Sequence, residues 1–270
     1  MTADPTYRGF ALDAETALAL LQWQAELGVD EPCLDAAVDR YALPDRVETA
    51  AAAPAAARPA PAPRSDVGAD HAALAERLAG DATTLAELAA AQESFEPIEL
   101  RKGARNFCFA DGRAGARVMV IGEAPGEEED MQGRPFVGRA GQLLDRMFAA
   151  IGLARDAVDA ERGLYITNVL PWRPPGNRRP EPAEIALMLP FLRRHVELAQ
   201  PEMLVLMGNT PCIAGLNRQG ILKLRGQWVE AFGLPALPMT HPAYLLRTPL
   251  AKREAWGDLL SVAARLDGTA

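Results

Sequence analysis

The chain has 270 residues, 49% of them hydrophobic and 24% charged, enough to bury one substantial core with chain to spare. No run of eighteen apolar residues is present, which excludes a membrane-spanning helix of ordinary length, and the acidic, polar start does not read as a signal peptide. The net charge of −8 is uneven: residues 1–94 carry 6 basic and 16 acidic side chains, net −10, whereas residues 95–270 carry 22 and 20, net +2. Bulk charge argues against a nucleic-acid partner, but the C-terminal part alone does not. Its arginines bunch at Arg173, Arg178, Arg179, Arg193, Arg194, Arg247 and Arg253, and arginine is suited to phosphate.

Residues 1–48 read as a helical N-terminal extension, with an amphipathic piece at 14–27 carrying Trp23. Residues 49–68 are rich in Ala and Pro, cannot build a core, and suit an extended linker. Residues 69–94, rich in Ala and Leu, read as a helical lead-in, and the compact domain is placed at 95–266. Cys33, Cys108 and Cys212 lie far apart, with no metal or disulfide spacing, and are expected as inert thiols in a reducing cytoplasm.

Within the compact domain, Arg117–Ile121 is a short apolar run of strand length. Gly122-Glu-Ala-Pro-Gly126 breaks it with turn residues, and Gly141–Ile151 follows with helical apolar spacing. Leu164–Thr167 is a second strand run and delivers Asn168. Met203–Met207 is a third and delivers Gly208-Asn-Thr-Pro. Leu234–Met239 is a fourth, and its prolines mark it as an edge strand; it delivers Thr240-His241. Amphipathic helical stretches such as Pro182–Ala199 separate the runs. That alternation predicts a parallel sheet covered on both faces, with ligands bound beyond the carboxyl ends of the strands. Glu123, Asn168 and His241 should therefore meet in one cleft. The proline-rich stretch Pro171–Pro182 is expected to be an extended loop at a strand end.

Each candidate has two readings. The acids Glu127–Asp130 could hold a hard cation or favour a helix N-terminus. If desolvated, four acids so close cannot all ionise cheaply, so at most two should face the cleft. Phe136 is a core plug or a stacking platform for a planar ring. Asn168 caps a turn or reads the edge of an imide. His241 is structural, or donates to a developing anion. His195, beside Arg193 and Arg194, reads as exposed, and His71 falls in the stretch before residue 95; neither is given a role. Tyr244, Leu245, Leu246 and Arg247 form an apolar wedge with a phosphate contact, or two packing leucines.

Taken together, Gly122-Glu-Ala-Pro-Gly-Glu-Glu-Glu-Asp130 with Gly133-Arg-Pro-Phe-Val-Gly-Arg-Ala-Gly-Gln-Leu-Leu144, Thr167-Asn-Val with Arg173-Pro-Pro-Gly-Asn-Arg178, and His241-Pro-Ala-Tyr-Leu-Leu-Arg247 closely resemble the family 4 uracil-DNA glycosylases. The match covers about residues 95–265; the extension lies outside it. The resemblance implies a three-layer α/β/α fold around a central four-stranded parallel sheet. It implies hydrolysis of the N-glycosidic bond of uracil in single- or double-stranded DNA, leaving an abasic site. Residue by residue, it implies Glu123 and Glu129 as the pocket acids, with the choice of water-positioning acid left open. Gly122 and the Ala124 backbone would meet uracil, Phe136 would stack on it and Asn168 would read its polar edge. Asn177 would support Glu123, and His241 would bond a uracil oxygen. Tyr244, Leu245, Leu246 and Arg247 would enter the duplex, with Arg178 among the DNA contacts.

The family holds an iron–sulfur cluster on four cysteines, and the matching positions here are Phe95, Ile98, Trp172 and Met188. Such clusters need thiolates, so no cofactor and no metal are expected, and an apolar plug is expected instead. Two alternatives are a uracil-DNA binder with altered catalysis and a metal-dependent phosphoesterase using residues 127–130. The reading is a bacterial, cytoplasmic, nucleoid-associated monomer without a membrane partner. The extension stays open between a repair or replication partner and a solubility tail.

Overall fold

The computed structural model describes residues 67–268, together with residues 6–7, 10–11, 16 and 18. The chain divides into two units, residues 1–60 and 61–270. In the first, Thr6–Tyr7 (β1) pairs antiparallel with Phe10–Ala11 (β2). Most of the helical extension expected at 1–48, including Trp23 and Cys33, and most of the linker at 49–68 lie outside the described residues.

The second unit is built on a sheet of Ala110–Gly112 (β3), Val118–Gly122 (β4), Leu164–Asn168 (β5), Met203–Met207 (β6), Val229–Ala231 (β7) and Leu234–Met239 (β8). Its spatial order is β3-β5-β4-β6-β8-β7. The four strands read from the sequence are the four central ones, and all are mutually parallel. The sheet nevertheless has six strands, because β3 and β7 add antiparallel edges. These edges are three residues each, too short and too polar to show a period. The edge assignment of Leu234–Met239 is also corrected, since β8 lies between β6 and β7. Its prolines fit nonetheless. β7 pairs only with Leu234–Ala236, and the Pro238 carbonyl accepts from Gly226 N at 3.0 Å. The donorless Pro238 nitrogen faces that same side, where no ladder strand follows.

Side-chain alternation along β4 divides the core. Met119 and Ile121 join one apolar cluster with Phe191 and Val196 of Pro182–Ala199 (α6) and Cys212 of Asn209–Leu216 (α7). Val118 and Val120 join the other, with Leu144 and Phe148 of Arg139–Ala149 (α5) and Leu259 and Val262 of Lys252–Leu266 (α10). The parallel strands are buried at every residue from β4 to β6, as a doubly covered sheet requires. Val67–Asp81 (α1) and Leu85–Glu93 (α2) pack against α6, and Ala75, Ala79 and Leu88 share a core cluster with Phe95 and Phe191. The helices read as a lead-in thus enter the same core as residues beyond 95.

His195 is not exposed, contrary to expectation: it is 3% exposed and its Nε2 sits 2.9 Å from Tyr165 Oη, with Phe109 stacked on it at 4.3 Å. Burial holds its pKa down at about 3. Helix phase explains the placement, because residues 188, 191, 192, 195 and 199 share the buried face of α6.

Candidate active site

The carboxyl ends of β4, β5, β6 and β8 carry the candidate residues. Gly122 and Asn168 are register partners across β4 and β5, and Val169 N donates to Gly122 O at 2.9 Å. A methyl placed on Gly122 would stand 2.6 Å from Phe136 Cζ and closer still to Phe136 Cε2 and Asn168 Oδ1. Glycine is therefore required here by close approach. The Phe136 and His241 rings face each other with centroids 5.3 Å apart and a 28° tilt. Gly122, Phe136, Asn168 and His241 accordingly form one contiguous site, joined from sequence positions more than a hundred residues apart.

Phe136 is 5% exposed and adopts φ 53°, the left-handed region. Such a conformation costs on the order of 1–3 kcal/mol in a non-glycine residue unless its surroundings impose it. Arg155 imposes it. Its Nη2 donates to Phe136 O at 2.8 Å and its Nη1 to Pro135 O at 3.1 Å, while Asp145 and Asp111 each bind the same guanidinium at 2.8 Å. Nothing in the sequence pattern marks Arg155 for this task.

The four acids separate into distinct roles. Glu127 and Glu128 of Glu127–Gln132 (α4) are exposed. Asp130, 7% exposed, accepts from Arg105 N at 2.8 Å and Asn106 N at 3.1 Å. Glu129 accepts from Gly126 N at 3.2 Å with Oε2, and from Val137 N at 3.0 Å and Gly138 N at 2.9 Å with Oε1. Both its oxygens are thus engaged in shaping the loop that carries Phe136. Among the described residues no acid, His or Cys cluster could hold a metal ion. Glu123 is half-buried, and its Oε2 accepts from Thr210 Oγ1 at 2.5 Å. Asn177 is not its partner: Asn177 is exposed, has φ 55°, and its Oδ1 accepts from Arg173 Nε at 2.8 Å. Ala124 follows Glu123, half-buried.

Two buried polar atoms at the strand ends have no partner among the described residues, Asn168 Oδ1 and Thr240 Oγ1. A buried amide oxygen left unpaired costs about 1–3 kcal/mol, so Asn168 is poised to accept a ligand donor. His241 caps Pro242–Arg247 (α9), and its Nδ1 accepts from Ala243 N at 3.1 Å. That bond requires an unprotonated Nδ1 and leaves the ring proton on Nε2. Desolvation, only partly opposed by Glu129 and reinforced by Arg247, holds the imidazole neutral with a pKa of about 4. A neutral Nε2–H donor on the ring that faces Phe136, and an unpaired amide oxygen at the neighbouring strand end, can recognise a planar imide and stabilise its anion.

The segment expected to enter a duplex forms the helix α9. Leu245 is 1% exposed and packs inward; Tyr244 and Leu246 are half-buried, and Arg247 is exposed. Just beyond it, in the 3₁₀ turn Pro249–Ala251, Leu250 is 90% exposed, followed by exposed Lys252 and Arg253. Its only sequence signal was an apolar residue after a proline between basic ones. Arg178 is held by Glu184, with Nη1 at 2.9 Å.

The four positions matching the family's cysteines lie in one apolar cluster: Phe95 and Ile98 are 1% exposed, Trp172 3% and Met188 0%. Phe95 packs edge-on against Phe191 at 5.4 Å, and Phe107 lies 5.2 Å from Trp172. Nearby Cys108 donates to Glu129 O at 3.3 Å, and burial, then the charges of Asp130 and Glu129, push its thiol up to about 12. None of the four matching side chains is a thiol and Cys108 stands at none of these positions, so Phe95, Ile98, Trp172 and Met188 do not fit an iron–sulfur cluster.

Residues 109–260 match the family model of the Uracil DNA glycosylase superfamily. The chain is 38% identical over 154 residues to the type-4 uracil-DNA glycosylase of Thermotoga maritima, covering 56% of this chain and 76% of that protein. It is 35% identical over 178 residues to that of Archaeoglobus fulgidus, covering 63% and 86%. Against that of Sulfurisphaera tokodaii it is 42% identical over 149 residues, covering 52% and 65%.

Proposed function

The chain belongs to the uracil DNA glycosylase superfamily, and from that premise we propose that it is a family 4 enzyme that flips uracil out of DNA and hydrolyses its N-glycosidic bond, a monofunctional repair glycosylase. The observation that carries the reading is the joined Gly122–Phe136–Asn168–His241 cluster with its unpaired Asn168 oxygen. A base cannot be attacked while stacked, so it must leave the helix for such a site. Uracil presents one N–H between two carbonyls. The Asn168 amide complements that edge, Phe136 offers a face for stacking, and the tight approach at Gly122 brings ring and amide to the same strand end. As the bond to N1 breaks, negative charge grows on the base, and His241 Nε2–H donates to it without having to lose a proton. Glu123, rather than the thrice-bonded Glu129, is our choice for the acid beside the sugar, since Glu129 has no oxygen to spare.

Arg247, Lys252 and Arg253 are read as phosphate contacts, and Leu250 rather than Leu245 as the group that meets the gap left by the flipped base. The protein is read as free of an iron–sulfur cluster, the apolar plug contributing about 1.5–3 kcal/mol per large buried side chain. We further read it as a monomer working on DNA in a bacterial cytoplasm. No described helix is long and apolar enough to cross a membrane. For the N-terminal extension, residues 1–48, a repair or replication partner is our reading.

The test is a labelled oligonucleotide holding one uracil, incubated with purified protein in chelator and then treated with alkali. Uracil-dependent scission, weakened in Glu123→Gln and His241→Ala, is the expected result. Retained uracil-specific binding without scission would replace the enzyme by a binder. Iron and sulfide analysis of the same preparation, expected to find neither, tests the plug.

A further inference from the structure

Successive residues of a strand point to opposite faces, and at the end of β4 this separates two jobs. Gly122 faces Phe136 and Asn168. Glu123, one residue on, meets α7, where Thr210 Oγ1 donates to its Oε2 at 2.5 Å. Thr210 is 5% exposed and is the second residue of α7. The start of that helix is fixed by Gly208, which takes φ 101° and donates its N–H to Met239 O at 2.9 Å. The hydroxyl therefore rests on a rigid element anchored between β6 and β8. Among the described residues the Glu123 carboxylate has no other hydrogen bond, and Asn177, the residue expected to support it, bonds Arg173 instead.

We infer that Thr210 is a positioning residue for glycosidic hydrolysis: its single hydroxyl proton fixes Glu123 through Oε2 and leaves Oε1 as the acceptor for the attacking water. This rests on the glycosylase reading. In the step itself, the water oxygen bonds C1′ as the C1′–N1 bond breaks. The bonding pair leaves with uracil as an anion held by His241 Nε2–H. One water proton passes to Glu123 Oε1 and is then returned, through solvent, to the departing uracil. Thr210 exchanges no proton; it sets where the acceptor oxygen stands, and small misplacements of such groups carry large rate penalties.

Wild type, Thr210→Val, Thr210→Ser, Glu123→Gln and the Thr210→Val/Glu123→Gln double variant would be compared in single-turnover excision from a single-stranded uracil oligonucleotide. Binding would be measured with the same oligonucleotide carrying 2′-fluoro-2′-deoxyuridine, which resists cleavage. Thr210→Val is expected to slow the maximal rate about 10- to 100-fold, the worth of one hydrogen bond to a charged group, with Kd unchanged within about twofold. Thr210→Ser should restore the rate to within about threefold of wild type, since it keeps the hydroxyl. In the Glu123→Gln background, Thr210→Val should add no further loss. A Thr210→Val rate within about twofold of wild type, a Ser variant as slow as Val, or losses that multiply in the double variant would overturn the assignment. Should the Val protein melt early, Thr210→Ala against Thr210→Ser reads the same question. An inert wild type would instead refute the glycosylase reading itself.

Discussion

Gly122→Ala is the sharpest probe of the pocket, because the backbone permits alanine there and only the neighbours do not. Gly122 lies outside the positive-φ region, so the substitution introduces no backbone strain of its own. The added methyl would stand 2.6 Å from Phe136 Cζ, with Phe136 Cε2 and Asn168 Oδ1 nearer. Restoring an ordinary carbon–carbon contact of ~3.6 Å requires the ring to retreat by about 1 Å. Phe136 cannot retreat freely, since Arg155 grips its carbonyl at 2.8 Å and Gly141 packs against its backbone. Overpacking of this kind destabilises by roughly 1–3 kcal/mol, a fall in Tm of about 2–4 °C for each kcal/mol in a domain of this size. A shift of about 1 Å in a positioning group costs on the order of 100-fold in rate, about 2.7 kcal/mol of transition-state stabilisation. Single-turnover excision should therefore fall about 100-fold while the protein stays folded. Gly80→Ala, in α1 with no atom near the new methyl, is the matched control, expected to gain about 0.5–1 kcal/mol and keep full activity. Excision by Gly122→Ala within about threefold of wild type would show that Phe136 and Asn168 do not bound the base pocket.

Leu250→Ala should slow excision from duplex DNA about tenfold and leave single-stranded substrate within about twofold, since only the duplex must be unstacked; equal losses on both would place Leu250 outside the duplex contact. His195 and His241 have pKa values of about 3 and about 4 against an ordinary 6.5. Between those values and 6.5 the unfolded chain holds protons that the folded chain lacks, so stability should fall as pH drops from 6.5 toward 4. It should level off above 6.5, and urea unfolding at pH 7.5, 6.5 and 5.5 that shows no slope would refute the assignment. The same values mean that excision should show no histidine-dependent loss between pH 5.5 and 8, checked by a single-turnover rate profile. Asp258, with a 2% exposed side chain, is paired with Arg225, and desolvation still raises its pKa. Arg225→Met should therefore destabilise by about 3–5 kcal/mol in urea melts, whereas Arg225→Met/Asp258→Leu should recover much of the loss.

The four parallel strands were legible because each is a short apolar run ended by a turn or polar residue. Asn168, Glu123 and His241 were legible for the same reason, as the polar residues that end such runs. The edges β3 and β7 were not, being three-residue strands whose pairing is decided by their neighbours. β8 misled because proline was weighed as a missing donor along the whole strand, while β7 covers only its first half. His195 was misplaced by its arginine neighbours although the helical period pointed inward. Leu245 takes the packing alternative rather than the duplex role that the resemblance implies, because His241 and Pro242 together start a helix, with Pro at the first position, and one turn later Leu245 faces the core. Thr210 and Arg155 carry no pattern at all. Each matters through one three-dimensional contact, to Glu123 and to the Phe136 carbonyl, made across 87 and 19 residues of sequence.

The adjacency of Gly122 and Glu123 has a geometric consequence. The reaction needs a pocket for the base on one side of C1′ and an acceptor for water on the other. A strand end supplies this with two consecutive residues, because the pleat sends neighbours to opposite faces. Gly122 opens the α5 side, where Phe136 and Asn168 wait, and Glu123 reaches the α7 side, where Thr210 holds it. A one-residue shift in the β4 register would exchange the two sides, setting a carboxylate against Phe136 and leaving the α7 side without an acid. The register is protected by burial at every position from Val118 to Gly122 and by parallel partners on both flanks, β5 and β6. The apolar run before the motif is thus part of the site, since it is what prevents Gly122 and Glu123 from trading places.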